Sequence, residues 1–142
     1  VVNVVYIYPA IFTPATVNDR GIVYTVEIPD IPGCITEGES ISEALSMTRE
    51  ALAGCILAMK QAKEDIPAPS NYYDIVKSSN DEIITLIDID LNDYVRRKET
   101  KSIIKTVSLP QWLAIMAEEA GISYSQTLQN ALKRALDIEG QP

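Results

Sequence analysis

Two aspartates, Asp88 and Asp90, stand two residues apart at the end of the run Glu82-Ile-Ile-Thr-Leu-Ile-Asp-Ile-Asp90. On a strand that spacing puts both carboxylates on one face, as metal-assisted phosphodiester cleavage needs. Such a site wants further convergent carboxylates. Glu27, on what reads as a neighbouring strand, is the one available, and acids on a solvated sheet edge are more often simply hydrated. The chain has no histidine, which removes imidazole-based acid–base, nucleophilic and metal chemistry. It has no phosphate-cradling glycine loop or nucleotide fingerprint either. The expectation is a protein that acts by binding, without enzymatic activity, metal or cofactor.

Charge is the other chemistry on offer. The net charge of −8 argues against a chain that coats nucleic acid non-specifically. Its distribution is uneven. Residues 1–80 hold ten acids and five bases, whereas residues 96–110 hold five bases (Arg96, Arg97, Lys98, Lys101, Lys105) and one acid, Glu99. An acidic part followed by a basic one points to two different partners. No apolar run is long enough to span a bilayer and no charged segment precedes a cleavable signal, so a cytoplasmic location is expected. Cys34 and Cys55 lack metal-ligand spacing and are expected to be reduced and to serve packing.

The elements that must position these groups follow from periodicity. Val4 to Phe12 is a nearly continuous apolar run, read as a buried strand that stops at Thr13-Pro14. After a turn at Asn18-Asp-Arg-Gly21, Ile22 to Ile28 alternates, with Val23, Thr25 and Glu27 on one face. Pro29-Asp-Ile-Pro-Gly33 makes a corner before a short strand at Cys34-Ile-Thr36. Ser40-Ile-Ser-Glu43 is a capping box that opens a helix of about six turns. A loop over Ser70 to Asn80 leads to a fourth strand, Glu82 to Asp90, and a short helix, Asp93 to Lys98. At 142 residues the chain can bury one core and a small appendage. One helix on an antiparallel sheet leaves the sheet's other face open.

The end of the chain reads differently. Lys101-Ser-Ile-Ile-Lys-Thr-Val-Ser-Leu-Pro110 is strand-like, with Pro110 in the first turn of a helix that stops at Ala120-Gly121. Ser123-Tyr-Ser-Gln126 is a second capping box, and Tyr124, Leu128, Ala131, Leu132 and Ala135 form the stripe of a second helix. One strand and two short helices bury too little to stand alone, and a lone strand needs a mate. Two copies with antiparallel strands would share one core, with Trp112 inside it. From Lys101 to Ile138 this layout resembles the ribbon-helix-helix repressors of the Arc and MetJ type, whose two-stranded ribbon enters the major groove. By that resemblance Val107 and Leu109 face the core, while Ile104, Thr106 and Ser108 occupy the base-reading positions. Lys101 and Lys105 are expected on phosphates, and the Ser123 N-terminus holds one through free N–H groups. Ile104 has no hydrogen-bonding group, and Lys105 falls on the core-facing register; both depart from the pattern.

The first part also carries a resemblance. Tyr8-Pro-Ala-Ile-Phe-Thr-Pro14, Val26-Glu-Ile-Pro-Asp-Ile-Pro-Gly-Cys-Ile-Thr-Glu-Gly38, Ser40-Ile-Ser-Glu-Ala-Leu45 and Ala51-Leu52 resemble the HicB-type antitoxins. The resemblance implies an α+β fold, an antiparallel sheet with one long helix in a partial ribonuclease-H-like arrangement, over residues 1–98. A ribbon-helix-helix dimerisation domain would follow over residues 99–142. It further implies a HicA-like toxin ribonuclease as partner, repression of the pair's own operon through operator DNA, a homodimer through residues 101–138, and no membrane. Two separate surfaces would also permit higher assembly. Because a ribonuclease must be basic around its active site, the acidic set Glu27, Asp30, Glu37, Glu39 and Glu43 is expected to bind the toxin, with Val23 and Thr25 on the open sheet face. The alternatives are a metal-dependent ribonuclease-H-like nuclease using Asp88 and Asp90, and a one-component repressor sensing a small ligand.

Overall fold

The computed structural model describes residues 5–138; the expected strand start at Val4 lies outside them. The described residues fall into two compact units, one ending at Thr100 and one beginning at Lys101.

The first unit is an antiparallel four-stranded sheet under one long helix, an α+β arrangement. Its strands are β1 (Val5–Val17), β2 (Gly21–Glu27), β3 (Ile35–Gly38) and β4 (Ile83–Asp90), in the order β3-β2-β1-β4. Helix α1 (Ile41–Gln61) follows β3, and α2 (Leu91–Lys98) follows β4. Tyr8, Ala10 and Phe12 of β1, Val26 of β2 and Ile87 of β4 pack against Ala44, Leu52, Ala53 and Ile56 of α1. The spacing of those four is the helical repeat that makes one apolar face. Ser40 caps α1 as expected, its Oγ accepting the Glu43 N–H at 3.1 Å. Glu43 reaches back to the N–H of Glu39 at 2.7 Å, one residue before the cap. Gly38 permits the join of β3 to α1, since a Cβ there would lie 2.5 Å from the backbone nitrogen of Ala44.

β1 is longer than its prolines suggest. The expected stop at Thr13-Pro14 is not observed, because the strand is shared between neighbours. Val5 to Phe12 pairs with β4 and Ile11 to Val17 with β2. Pro9, opposite Leu86, and Pro14, opposite Tyr24, both fall where β1 has a partner on one side only. A missing N–H is tolerated at such an edge and not between two ladders. β3 begins at Ile35 and runs to Gly38, a residue or two beyond the Cys34–Thr36 expectation.

In the second unit α3 spans Gln111–Glu119 and α4 spans Tyr124–Ala135. Pro110 sits at the N-cap, just before the first turn where it was expected, and its carbonyl accepts from the N–H groups of Leu113 and Ala114. Gly121, at φ +67, ends α3 in the left-handed conformation that favours glycine. The N–H of Ile122 then closes onto the carbonyl of Ala117 at 3.0 Å. Ser123 caps α4 by accepting the Gln126 N–H at 3.3 Å. Gln126 does not return the bond; its amide turns to Asn130, 3.0 Å away. The expected strand over 101–109 is not formed in the single chain, and the four-stranded sheet takes no residue from it.

Candidate functional site

The β2–β3 register assembles part of the expected acidic surface. Thr25 stands opposite Glu37 and Glu27 opposite Ile35, so these four share the sheet face turned away from α1. All four are exposed. Val23 is a correction: it lies on the same face but is only 3% exposed, so it is not a free contact in the folded chain. The remaining acids carry internal work. Arg20, in the β1–β2 turn, bridges Glu37 through Nη2 at 3.2 Å and Glu39 through Nε at 2.8 Å. These two carboxylates hold the Arg20 guanidinium above its ordinary pKa. Asp30 accepts both the backbone N–H and the hydroxyl of Ser70, and Glu43 belongs to the cap of α1. Glu27 is thus the acid of the set whose carboxylate makes neither an ion pair nor a hydrogen bond among the described residues. Arg20 was not singled out in the sequence. Its signal is there, a cation in the turn of the hairpin whose far strand leads into Glu37 and Glu39, but only the register shows that they meet.

Asp88 and Asp90 occupy the expected strand face, opposite Ile7 and Val5 of β1. Each already has a partner. Arg49 of α1 reaches Asp88 at 3.3 Å, and Asp90 caps α2 by accepting the Asp93 N–H at 3.2 Å. They border a cleft of about 250 Å³ between α1, β4 and α2, with Arg49, Asp93, Tyr94 and Arg97 on its walls. Among the described residues no group of three or more acids, cysteines or histidines is placed to hold a metal ion. The cleft's cations sit beside its carboxylates, which suits an ion-paired helix junction better than a divalent metal. Cys34 and Cys55 also meet, in the core, where burial and the second thiol push Cys34 up to about 12. At that value Cys34 is a neutral packing group.

The basic run is divided by the fold. Arg97 bonds Glu50 of α1 and Asp93, each at 3.1 Å, and Lys98 bonds Glu50 at 3.1 Å. Lys98 and Arg97 together hold the Glu50 carboxyl below the ordinary carboxylate range. Two of the five cations thus anchor α2 on α1, while Lys101 and Lys105 lie beyond the junction in the second unit. Lys101, Ile104, Lys105, Thr106 and Ser108 are all exposed, as is Ser123 at the start of α4.

The second unit has no buried side chain in either helix. Its apolar residues, Leu113, Met116, Leu128 and Leu132 among them, are exposed, and Trp112 is 62% exposed. Tyr124 does tie the helices together, its hydroxyl donating to the carbonyl of Ala114 at 3.1 Å. Taken by itself, the unit is a helix pair with its larger apolar side chains uncovered.

Comparison with known proteins now bears on both units. The family model described as the HicB-like antitoxin of bacterial toxin–antitoxin systems matches residues 8–135. An uncharacterised 14.9 kDa protein from the rep–hol intergenic region of Haemophilus phage HP1 is 34% identical over 85 residues, 58% of this chain and 62% of that protein. The chain therefore spans less than two thirds of the phage relative's length. A UPF0150 protein of Thermoplasma acidophilum is 36% identical over 56 residues, 39% of this chain and 81% of its own. Among solved structures, a chain of a toxin–antitoxin complex from Streptococcus pneumoniae is 27% identical, with a TM-score of 0.57 over 93% of this chain and 99% of that one. The antitoxin HicB of Burkholderia pseudomallei is 25% identical, with a TM-score of 0.50 over 92% and 98%. No helix among the described residues is long and apolar enough to cross a membrane. With a family model that runs through both compact units, the chain belongs to the HicB-like antitoxins of bacterial toxin–antitoxin systems.

Proposed function

We infer that this chain neutralises a HicA-type messenger-RNA-cleaving toxin with its first unit and represses its own operon with its second. The observation that carries the reading is the reach of the family match, residues 8–135, through the sheet unit and the helix pair alike. The first unit is then a partial ribonuclease-H-like fold whose carboxylates serve ion pairs and caps in place of a metal, and it inhibits by cover. Toxin docks on the face bearing Thr25, Glu27 and Glu37, with Glu39, Asp30 and Glu43 adding acidic field around it. Field of that kind steers a basic partner and speeds association.

The second unit completes its core with another copy. Residues 101–109 pair in an antiparallel ribbon, and α3 and α4 of each copy cover the apolar surface of the other. Lys101, Lys105 and the α4 N-terminus at Ser123 lie on phosphates, and Ile104, Thr106 and Ser108 face the bases. In this reading the domains run over 1–98 and 99–142, with Glu99-Thr100 as a hinge that ends where the two compact units divide.

Co-expression with a HicA-type toxin tests the first half. Growth arrest by that protein alone, relieved when this chain is present, and co-purification of the two are expected. Persistent arrest with both proteins soluble would overturn the toxin-covering role.

A further inference from the structure

We propose that Ile104 is a specificity-determining residue of the second unit, and that it selects thymine by packing on the C5-methyl group in the major groove. The inference rests on the operator-binding reading above. Alternation separates Val107 and Leu109 from Ile104, Thr106 and Ser108. The first two are 58% and 46% exposed, whereas Ile104 is 96% exposed. A second copy that covers the side of Val107 and Leu109 leaves Ile104 on the opposite, open side. An isoleucine there has no partner in its own fold.

The occupant follows from charge and chemistry. Between Thr100 and Ala117 the chain carries two lysines, Lys101 and Lys105, and no acid, although its net charge is −8. That local sign suits the phosphate backbone. On the groove floor the one methyl group of a base pair is that of thymine; adenine, guanine and cytosine present there mainly donors and acceptors. Against the methyl, Ile104 removes apolar surface from water on both sides. Against the amino group of cytosine or the oxygen of guanine it would bury a polar group without a partner, which costs more than the contact returns. Thr106 and Ser108 carry hydroxyls that donate or accept, and so discriminate less. The hydrophobic side chain, which lacks the hydrogen bonds of a usual base reader, is the sharper selector of the three. A two-fold ribbon places one Ile104 in each half-site, so the preferred sequence should carry one such thymine per half, related by the dyad.

The test uses the full chain and a randomised DNA duplex library made with thymine. The bound fraction is sequenced, and the winning duplex is then rebuilt with deoxyuridine, which deletes the methyl and nothing else. Expected is a symmetric motif with a thymine in each half, and a loss of affinity of about fourfold for each methyl removed, about fifteenfold for both. Ile104→Ala, with less apolar surface, should clearly weaken the preference for thymine over deoxyuridine, and Ile104→Val should keep most of it. A defined motif bound equally well with deoxyuridine, or the same thymine preference in Ile104→Ala, would overturn the role of Ile104 and leave operator binding intact. Binding without any enriched motif would overturn the operator reading itself, and this inference with it.

Discussion

At the scale of single residues, the carboxylates proposed to meet the toxin are largely the ones that also support the fold. Glu37 and Glu39 share Arg20 and Glu43 holds a helix cap, which leaves Glu27 as the acid with most charge to offer a partner. Glu27→Lys is therefore expected to slow toxin association at low salt by about tenfold, and more than Glu39→Lys does, as read by stopped-flow mixing. Equal effects of the two would remove Glu27 from the docking face. Gly38 marks the opposite extreme, a residue with no chemistry whose replacement nevertheless matters. With Ala44 N 2.5 Å from where its Cβ would be, Gly38→Ala should cost roughly 1–3 kcal/mol in urea unfolding through overpacking. Cys34 should resist alkylation at pH 8 while half-buried Cys55 reacts first, because a thiol pushed up to about 12 is almost never a thiolate there. Peptide mass mapping after iodoacetamide reads the order directly. Pairings of this kind were the least legible part of the sequence. Arg49 finds Asp88 from 39 positions away, and nothing local to Asp88-Ile-Asp90 announces a cation across the fold. Read as most often hydrated, with a nuclease pair as the alternative, the two acids instead hold an ion pair to Arg49 and the cap of α2.

Among elements, those governed by local bonds were readable and those governed by distant partners were not. Ser40 and Ser123 announce α1 and α4 because a hydroxyl capping the third N–H downstream is a four-residue event. β1 could not be bounded from its residues, since Pro14 stops a strand only where ladders run on both sides, and the one-sided pairing of β1 is a property of the whole sheet. Helix α2 supplies the prediction that belongs at this scale. Its C-terminal cations are held by Glu50, whose carboxyl is kept below the ordinary value of 4.5 by Lys98 and Arg97. A depressed carboxylate stabilises above its unfolded pKa and loses that contribution as pH falls through the lower folded value. Hydrogen exchange at α2 amides should accordingly be slower in the wild type than in Glu50→Gln near neutral pH, and the two should converge once Glu50 is protonated. A constant difference across the acid range would assign the anchoring to some other contact.

Across the whole molecule, the contrast lies between one unit with a core and one without. The sheet unit buries residues from Tyr8 to Leu91 around α1, whereas α3 and α4 bury none. That asymmetry was legible in outline, because the apolar stripe of Leu113, Met116, Leu128 and Leu132 is too large for a helix pair to hide by itself. The mate for residues 101–109 was not, since no sequence says on which molecule a partner lies. If the second unit is half of a shared fold, Leu113→Asp together with Leu128→Asp should separate the copies and abolish operator binding while leaving toxin neutralisation in place. Sedimentation equilibrium of the full chain is the most direct measurement of that shared fold. It should report twice the subunit mass of 15.6 kDa, falling to a single subunit in the double variant, whereas a wild-type chain that stays at one subunit across the micromolar range would contradict the account.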